Sequence, residues 1–242
     1  MLMKIAWFSA GVSSFVASYI AKPDRIIYID VANQHPDSFR FLADCQRHLD
    51  VPIEILRDVK WGGCVDNVIN DERYINGPGG APCTKLLKKR VRQEWERENL
   101  TPDTVYVFGY DRDETARAER LVEHTVEAAC EFPLIEQGIS KEEAHGICER
   151  LGVKRPVMYD LGYPNNNCIG CVKGGKGYWN KIREDFPAVF KRRARQERAI
   201  GRSCIRGVFL DELKPGEGRM NTEVFPECSF MCLGYDGSYE EL

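Results

Sequence analysis

Cys168 and Cys171 stand two residues apart in the segment NNNCIGCVKGGKGYW, Asn165 to Trp179. A C-x-x-C pair serves a redox disulfide, half of a metal site or a tight turn, so the pair alone leaves all three uses open. Zinc usually takes four Cys or His ligands in two short-range pairs, and the four histidines, His35, His48, His124 and His145, show no paired spacing. An iron-sulfur cluster accepts thiolates from distant parts of a chain, held in a glycine-rich pocket. Cys168 and Cys171 would supply two of them. Cys83, in APCTK, is a third candidate, because it feeds a helix N-terminus where the dipole favours a thiolate. Cys228 and Cys232, in ECSFMC, add two more thiols. Cys45, Cys130 and Cys148 sit in apolar helical patterns and read as packing residues, while Cys64 and Cys204 take no assignment.

A second chemistry is written near the start of the chain. KIAWFSAGVSS reads as a strand, a small-residue turn and a helix. Such a turn leaves backbone N–H groups unpaired at a helix N-terminus, which suits a phosphate group. Gly11 lets the backbone approach an anion closely, and Ser9, Ser13 and Ser14 offer hydroxyl donors. The plain alternative is an ordinary strand-to-helix turn. Asp30 ends another apolar run, and Gly109 follows a third, so both are placed at the strand ends where open α/β sheets bind ligands. Beyond Gly109, Arg112 and Arg117 have the fork geometry for phosphate or sulfate oxygens; the competing reading is a solvated helix whose arginines pair with Glu114, Glu119 and Glu123.

These residues need a scaffold, and the hydrophobic pattern supplies one. Apolar runs at Lys4 to Phe8, Arg25 to Ile29, Pro52 to Leu56 and Thr104 to Phe108 predict strands, with helices following or between them. One helix is expected from Ser13, with Phe15, Val16, Tyr19 and Ile20 inward. Others are expected over Asp37 to Leu49, with Phe41, Leu42 and Cys45 inward, and over Thr84 to Glu98, with Leu87, Val91 and Trp95 on one face. Further helices are predicted over Lys141 to Leu151 and Trp179 to Ile200, with the Cys168 loop between them and an irregular tail after Ser203. The fold class expected is α/β: a Rossmann-like parallel sheet flanked by helices, with a mostly helical C-terminal part and an irregular cysteine-containing tail. A nucleotide-binding domain over residues 1–133 and a helical, cluster-binding region over 134–242 are the expected divisions, unless the two are continuous.

With 242 residues, 43% hydrophobic and 29% charged, the composition is that of a globular chain. A formal net charge of -3 offers no global attraction to nucleic acid or membrane. The opening MLMKIAWFSAGVSSFVASYIA imitates a secretory signal, but Ser9, Gly11, Ser13 and Ser14 interrupt the apolar run. The reading adopted is a cytoplasmic protein with no membrane partner, and the ten cysteines then point to metal binding or reactivity.

Ser9-Ala10-Gly11-Val12-Ser13-Ser14 resembles the pyrophosphate loop S-G-G-x-D-S of ATP pyrophosphatases and phosphoadenylyl-sulfate (PAPS) reductases. Ala10 stands for a glycine and Ser13 for the aspartate, so one acidic contribution is lost. Three more segments resemble the same superfamily in order: Ile29 to Asp37, Phe108 to Glu114 with Arg117 and Arg120, and Tyr159-Asp160-Leu161-Gly162-Tyr163 before Cys168. The resemblance implies an adenine nucleotide, ATP or an adenylyl sulfate, held by Ser9, Ala10, Gly11, Ser13, Ser14, Asp30, Gly109, Arg112 and Arg117, with magnesium a candidate companion. It is similar to the iron-sulfur branch in carrying Cys83 before a basic helix and a late C-x-x-C, though that branch has two cysteines where this chain has Cys83 alone. The resemblance therefore implies a 4Fe-4S cluster on Cys83, Cys168 and Cys171, with Cys232 as fourth ligand or the fourth position open. Glu227-Cys228 is similar to the reductases' E-C-G tail, which implies Cys228 as nucleophile, with Ser229 replacing the glycine; Cys228 and Cys232 can also exchange roles.

The first expectation is thus thiol-dependent reduction of an adenylylated sulfate, with a thiol or an electron donor such as thioredoxin as partner. The alternative is ATP-dependent sulfur transfer to RNA or another nucleic acid, which the lone Cys83 favours. A non-catalytic nucleotide-binding protein is the third. A homo-oligomer is the expected assembly. Two basic runs, Lys85 to Arg92 and Lys191 to Arg206, are candidates for RNA or a second nucleotide phosphate, against the plain reading of solvated helix faces.

Overall fold

In the computed structural model the described residues are 2–77 and 80–220; the expected nucleophile Cys228 and ligand Cys232 lie outside them. Five strands are present among the described residues: β1 (Met3–Phe8), β2 (Arg25–Asp30), β3 (Ile53–Arg57), β4 (Thr104–Val107) and β5 (Ala129–Glu131). They form one sheet in the order β3-β2-β1-β4-β5, and every pairing is parallel. The α/β expectation holds. β5, three residues long and partly exposed, carries too little apolar pattern to stand out in the sequence.

Both faces of the sheet are covered, as a parallel sheet requires. On one face Ala6, Phe8, Ile26 and Tyr28 meet Phe15 and Val16 of the helix Val12–Ala21, Phe41 and Cys45 of the helix Asp37–Gln46, and Ala144 and Cys148 of the helix Lys141–Arg150. On the other, Trp7 packs edge-on against Tyr106 and against Trp95 of the helix Arg90–Asn99, with ring centroids 5.7 and 5.5 Å apart. Burying each such aromatic contributes about 2 kcal/mol. Tyr19, expected inward, is 38% exposed: three residues on from Val16, it has turned to the edge of the helix's buried face. Cys130, expected as packing, is only half-buried on the short edge strand β5.

Two expected helices differ in their interiors. Thr84 to Glu98 is entered by a turn at Pro82–Thr84 and a π-helical segment Lys85–Lys89 before the helix Arg90–Asn99, although Leu87, Val91 and Trp95 are buried as expected. Trp179 to Ile200 is two helices, Lys176–Asp185 and Pro187–Ile200. Pro187 has no N–H and forces the preceding Phe186 out of helical geometry, to φ -134° and ψ 60°.

Two compact units interleave along the chain. One comprises Met1–Asp30, His35–Arg57 and Val91–Asn166 and contains the whole sheet; the other comprises Val31–Gln34, Asp58–Arg90 and the chain from Asn167 on. No described helix is long and apolar enough to cross a membrane.

Candidate functional site

The strand order places a topological switch point at β1. The chain moves outward through β2 and β3, then returns to add β4 and β5 on the other side, so the connections leaving β1 and β4 part above their C-terminal ends. Such a crevice is where open α/β sheets take ligands. The Ser9–Ser14 turn leaves β1 there. Gly109 follows β4, and a Cβ on it would lie 2.5 Å from the backbone N and Cα of Ser14 and 2.7 Å from the carbonyl carbon of Ser13. Only glycine allows the β4 exit to lie directly on the first turn of the Val12–Ala21 helix.

Hydrogen bonds knit the turn from inside. The Ser14 hydroxyl accepts from the Ser9 N–H at 3.2 Å and stands 3.1 Å from the Ser9 hydroxyl, while donating to the Gly11 carbonyl at 2.8 Å. Ala10 takes the left-handed conformation, φ 58°, at the position where the resembling loop has glycine. A side chain there costs about 1–2 kcal/mol of local strain. Gly11, the N-cap, offers no side-chain acceptor, and the first helical turn holds no acid. The N–H groups of this first turn therefore have no side-chain cap, and the helix dipole adds positive potential there.

Three residues of the same unit support this turn and were not assigned to the site from sequence. Asn166, buried, donates from Nδ2 to the Ala10 carbonyl at 2.8 Å and to the buried Ser38 hydroxyl at 3.0 Å. Tyr159, the first residue of the YDLGY segment, brings its hydroxyl to 3.3 Å from where a Gly11 Cβ would stand, and its ring packs edge-on against His145 at 4.7 Å. The run of three asparagines before Cys168 was the available signal for Asn166; Ser38 carried none.

Asp30 ends β2 two positions past the Phe8↔Tyr28 pair, beside the turn, and is 5% exposed. Burial raises its carboxyl above the ordinary range, opposed by Arg57, whose Nε stands 3.3 Å away, and by a hydrogen bond from Tyr28. The two arginines of the Gly109 segment are engaged within the protein. Arg117 pairs with Glu114 and lies over the Tyr110 ring at 4.1 Å, and Arg112, half exposed, faces Glu143 at 3.4 Å. Asp111 and Glu114 form a capping box at the start of that segment. The structure thus brings Ser9, Ala10, Gly11, Ser13, Ser14 and Gly109 into one cradle with Asp30 at its edge, and holds Arg112 and Arg117 through acids.

The other unit carries Cys83, Cys168 and Cys171. The Cys168 loop is pinned at three backbone points: Ile169 N–H on the Asn33 carbonyl at 2.8 Å, Cys171 N–H on the Tyr178 hydroxyl at 2.8 Å, and the Val172 carbonyl on Asn76 Nδ2 at 3.2 Å. The Tyr178 hydroxyl also donates to the Cys168 carbonyl at 3.1 Å, so one side chain spans the C-x-x-C turn. Gly174 makes room for the Tyr178 ring, since a Cβ there would fall 2.0 Å from its Cδ1. Cys83 is buried in the Pro82–Thr84 turn of the same unit. Among the described residues, however, no three His, Cys, Asp or Glu side chains gather closely enough to hold one metal ion.

Cys204, unassigned from sequence, is buried with its N–H on Glu197, whose other oxygen accepts from Leu210 N–H at 2.6 Å. Burial drives the Cys204 thiol well above its ordinary pKa, with Glu197 and Cys171 adding negative charge and Arg193 opposing. Glu197 is itself raised by burial. The last described residue, Met220, is held against the start of the Lys176–Asp185 helix: a Cβ on Gly177 would lie 2.4 Å from the Met220 nitrogen.

No protein-family model matches the chain, and no curated protein matches it by sequence. Among solved structures, the chain is similar to phosphoadenylyl-sulfate (PAPS) reductase from Candida auris in its phosphate complex, with a TM-score of 0.50 and 14% identity over 69% of this chain and 82% of that one. The five-stranded, all-parallel α/β architecture is accordingly PAPS reductase-like in fold.

Proposed function

We propose that this chain is an enzyme that binds an adenine nucleotide by its phosphates on the Ser9–Ser14 turn and carries out sulfur chemistry with its thiols. The observation that carries the reading is the cradle at the switch point: an uncapped, acid-free helix N-terminus, a left-handed Ala10 and a Gly109 backbone lying on it. The fold shared with a PAPS reductase supports it. The reaction proposed first is thiol-dependent reduction of an adenylylated sulfate. The Cys228 thiolate attacks the sulfate sulfur, an S–S bond forms, and the S–O bond to the nucleotide phosphate breaks, releasing the nucleotide. A second thiol then attacks Cys228 sulfur, forming a disulfide and freeing sulfite.

A 4Fe-4S cluster on Cys83, Cys168, Cys171 and Cys232 belongs to the same proposal, supported by the first three residing in one unit. Sulfur transfer to nucleic acid is the second reading, favoured by the lone cysteine at Cys83. Calorimetric titration of the full chain with ATP and with adenylyl sulfate, followed by a sulfite assay with reduced thiol, tests the first reading. Nucleotide binding together with sulfite release that Cys228→Ser abolishes is the expected result; no binding of either nucleotide overturns the site. Iron and sulfide analysis after anaerobic reconstitution tests the cluster, and protein without iron removes it.

A further inference from the structure

The helix Pro187–Ile200 presents charge of a single sign to solvent. From Pro187 to Arg202 the sequence holds one acid, Glu197, and that side chain is fully buried against the backbone of Cys204 and Leu210. Lys191, Arg192, Arg195, Arg198 and Arg202 are all exposed. Two of these are neutralised locally: Arg192 faces Asp66 at 3.2 Å, and Arg198 reaches Asp211 at 2.7 Å and Glu212 at 2.6 Å. Lys191, Arg195 and Arg202 have no acidic partner among the described residues.

The spacing of these three gives the face a direction. Lys191 and Arg195 are one turn apart on the helix, about 6 Å along its axis. Arg202 follows just past the Gly201 cap and lies over the half-buried ring of Tyr74, 5.8 Å from its centroid. In the other basic run Arg90 is paired with Asp58, and Arg92 with Glu96 and Glu127. In a chain of formal net charge -3 the face of Lys191, Arg195 and Arg202 is a local concentration of unneutralised cations.

We propose that this face binds single-stranded RNA, with Lys191, Arg195 and Arg202 on successive phosphates and the Arg202–Tyr74 pair as the platform for an unpaired base. A row of cations longer than a helical turn matches a polyanion better than a single nucleotide. A guanidinium beside an aromatic ring stacks bases that are splayed from their neighbours, which duplexes do not offer and single-stranded RNA does. The inference goes beyond the nucleotide-site reading and does not depend on it.

The test is fluorescence anisotropy of the full chain with a fluorescein-labelled, unstructured 20-nucleotide RNA, titrated from low to physiological salt without ATP. Expected is a log–log salt slope of about -2 or steeper, since each neutralised single-strand phosphate contributes about -0.7. The triple variant Lys191→Gln, Arg195→Gln, Arg202→Gln is expected to bind at least tenfold more weakly with a slope flatter by about 2. Tyr74→Ala is expected to weaken binding without changing the slope. Equal binding by the triple variant, no salt dependence, or equally tight binding of a duplex DNA of the same length overturns the proposal. If circular dichroism shows the triple variant unfolded, Arg195→Gln alone decides, with an expected slope change of about 0.7. Calorimetry with ATP on the same proteins reports on the nucleotide turn separately, so failure of either reading is visible without the other.

Discussion

Replacing Gly109 with Ala is the most direct test of the cradle. Gly109 does not have a positive φ, so alanine meets no backbone penalty there and any effect is steric. The added Cβ would stand 2.5 Å from two backbone atoms of Ser14, whereas ordinary carbon contacts begin near 3.5 Å. The shortfall of about 1 Å falls on backbone, which cannot swing aside as a side chain does. The β4 exit and the first turn of the Val12–Ala21 helix must separate, and overpacking of that kind costs about 1–3 kcal/mol. Moving the turn by that distance also spoils its N–H geometry toward an anion. Loss of one charge-assisted hydrogen bond, about 1.5–3 kcal/mol, lowers nucleotide affinity by about tenfold to about 140-fold. Urea denaturation and calorimetric titration with ATP measure the two effects on one sample. Gly152→Ala is the matched control, because Gly152 has φ 69° and open space around it; it is expected to lose about 1 kcal/mol of stability and no affinity. If Gly109→Ala changed stability by under 0.5 kcal/mol and affinity by less than twofold, the turn would not depend on this contact and the argument would fail.

Four further outcomes are expected. Asn166→Ala should cost about 1–3 kcal/mol in urea denaturation and weaken nucleotide binding, because the buried Ala10 carbonyl and Ser38 hydroxyl each lose a donor; unchanged binding would show that the turn holds its shape alone. Ala10→Gly should raise stability by up to about 1 kcal/mol, since relief of left-handed strain outweighs the added freedom of the unfolded chain, and a loss beyond 1 kcal/mol contradicts the strain. Asp30 is raised by burial, so its folded form holds a proton that the unfolded chain has released. Its contribution is most favourable below the ordinary carboxylate pKa of about 3.9 and is lost as pH rises through the folded value. Asp30→Asn should therefore gain stability relative to the parent as pH rises above about 4, and a pH-independent difference would refute the shift. Burial pushes the thiols of Cys148 and Cys130 up to about 11, so native iodoacetamide labelling at pH 8, read by peptide mass spectrometry, should be about a hundredfold slower there than in urea; equal rates would contradict their burial.

Periodicity and strand-end residues made much of this protein legible in its sequence. Four of the five strands, the inward faces of the helices at Phe15, Phe41 and Trp95, and the turn from Ser9 to Ser14 follow from local pattern, because burial and turn chemistry act on neighbours in the chain. Pro187 also marks a helix break inside the run Trp179 to Ile200, which helical periodicity alone joins into one helix. Pairing across distance is another matter. That Gly109 must be glycine because Ser14 lies against it, that Asn166 holds the Ala10 carbonyl from 156 residues away, and that Glu197 is a buried acceptor within a basic helix are decisions of tertiary packing. No local spacing encodes them, because each depends on which strand end or loop the fold brings alongside. The sequence by itself determined that a phosphate-suited turn and a C-x-x-C pair exist; tertiary structure decided which residues brace the turn, which cysteines are buried, and which arginines face acids and which face water.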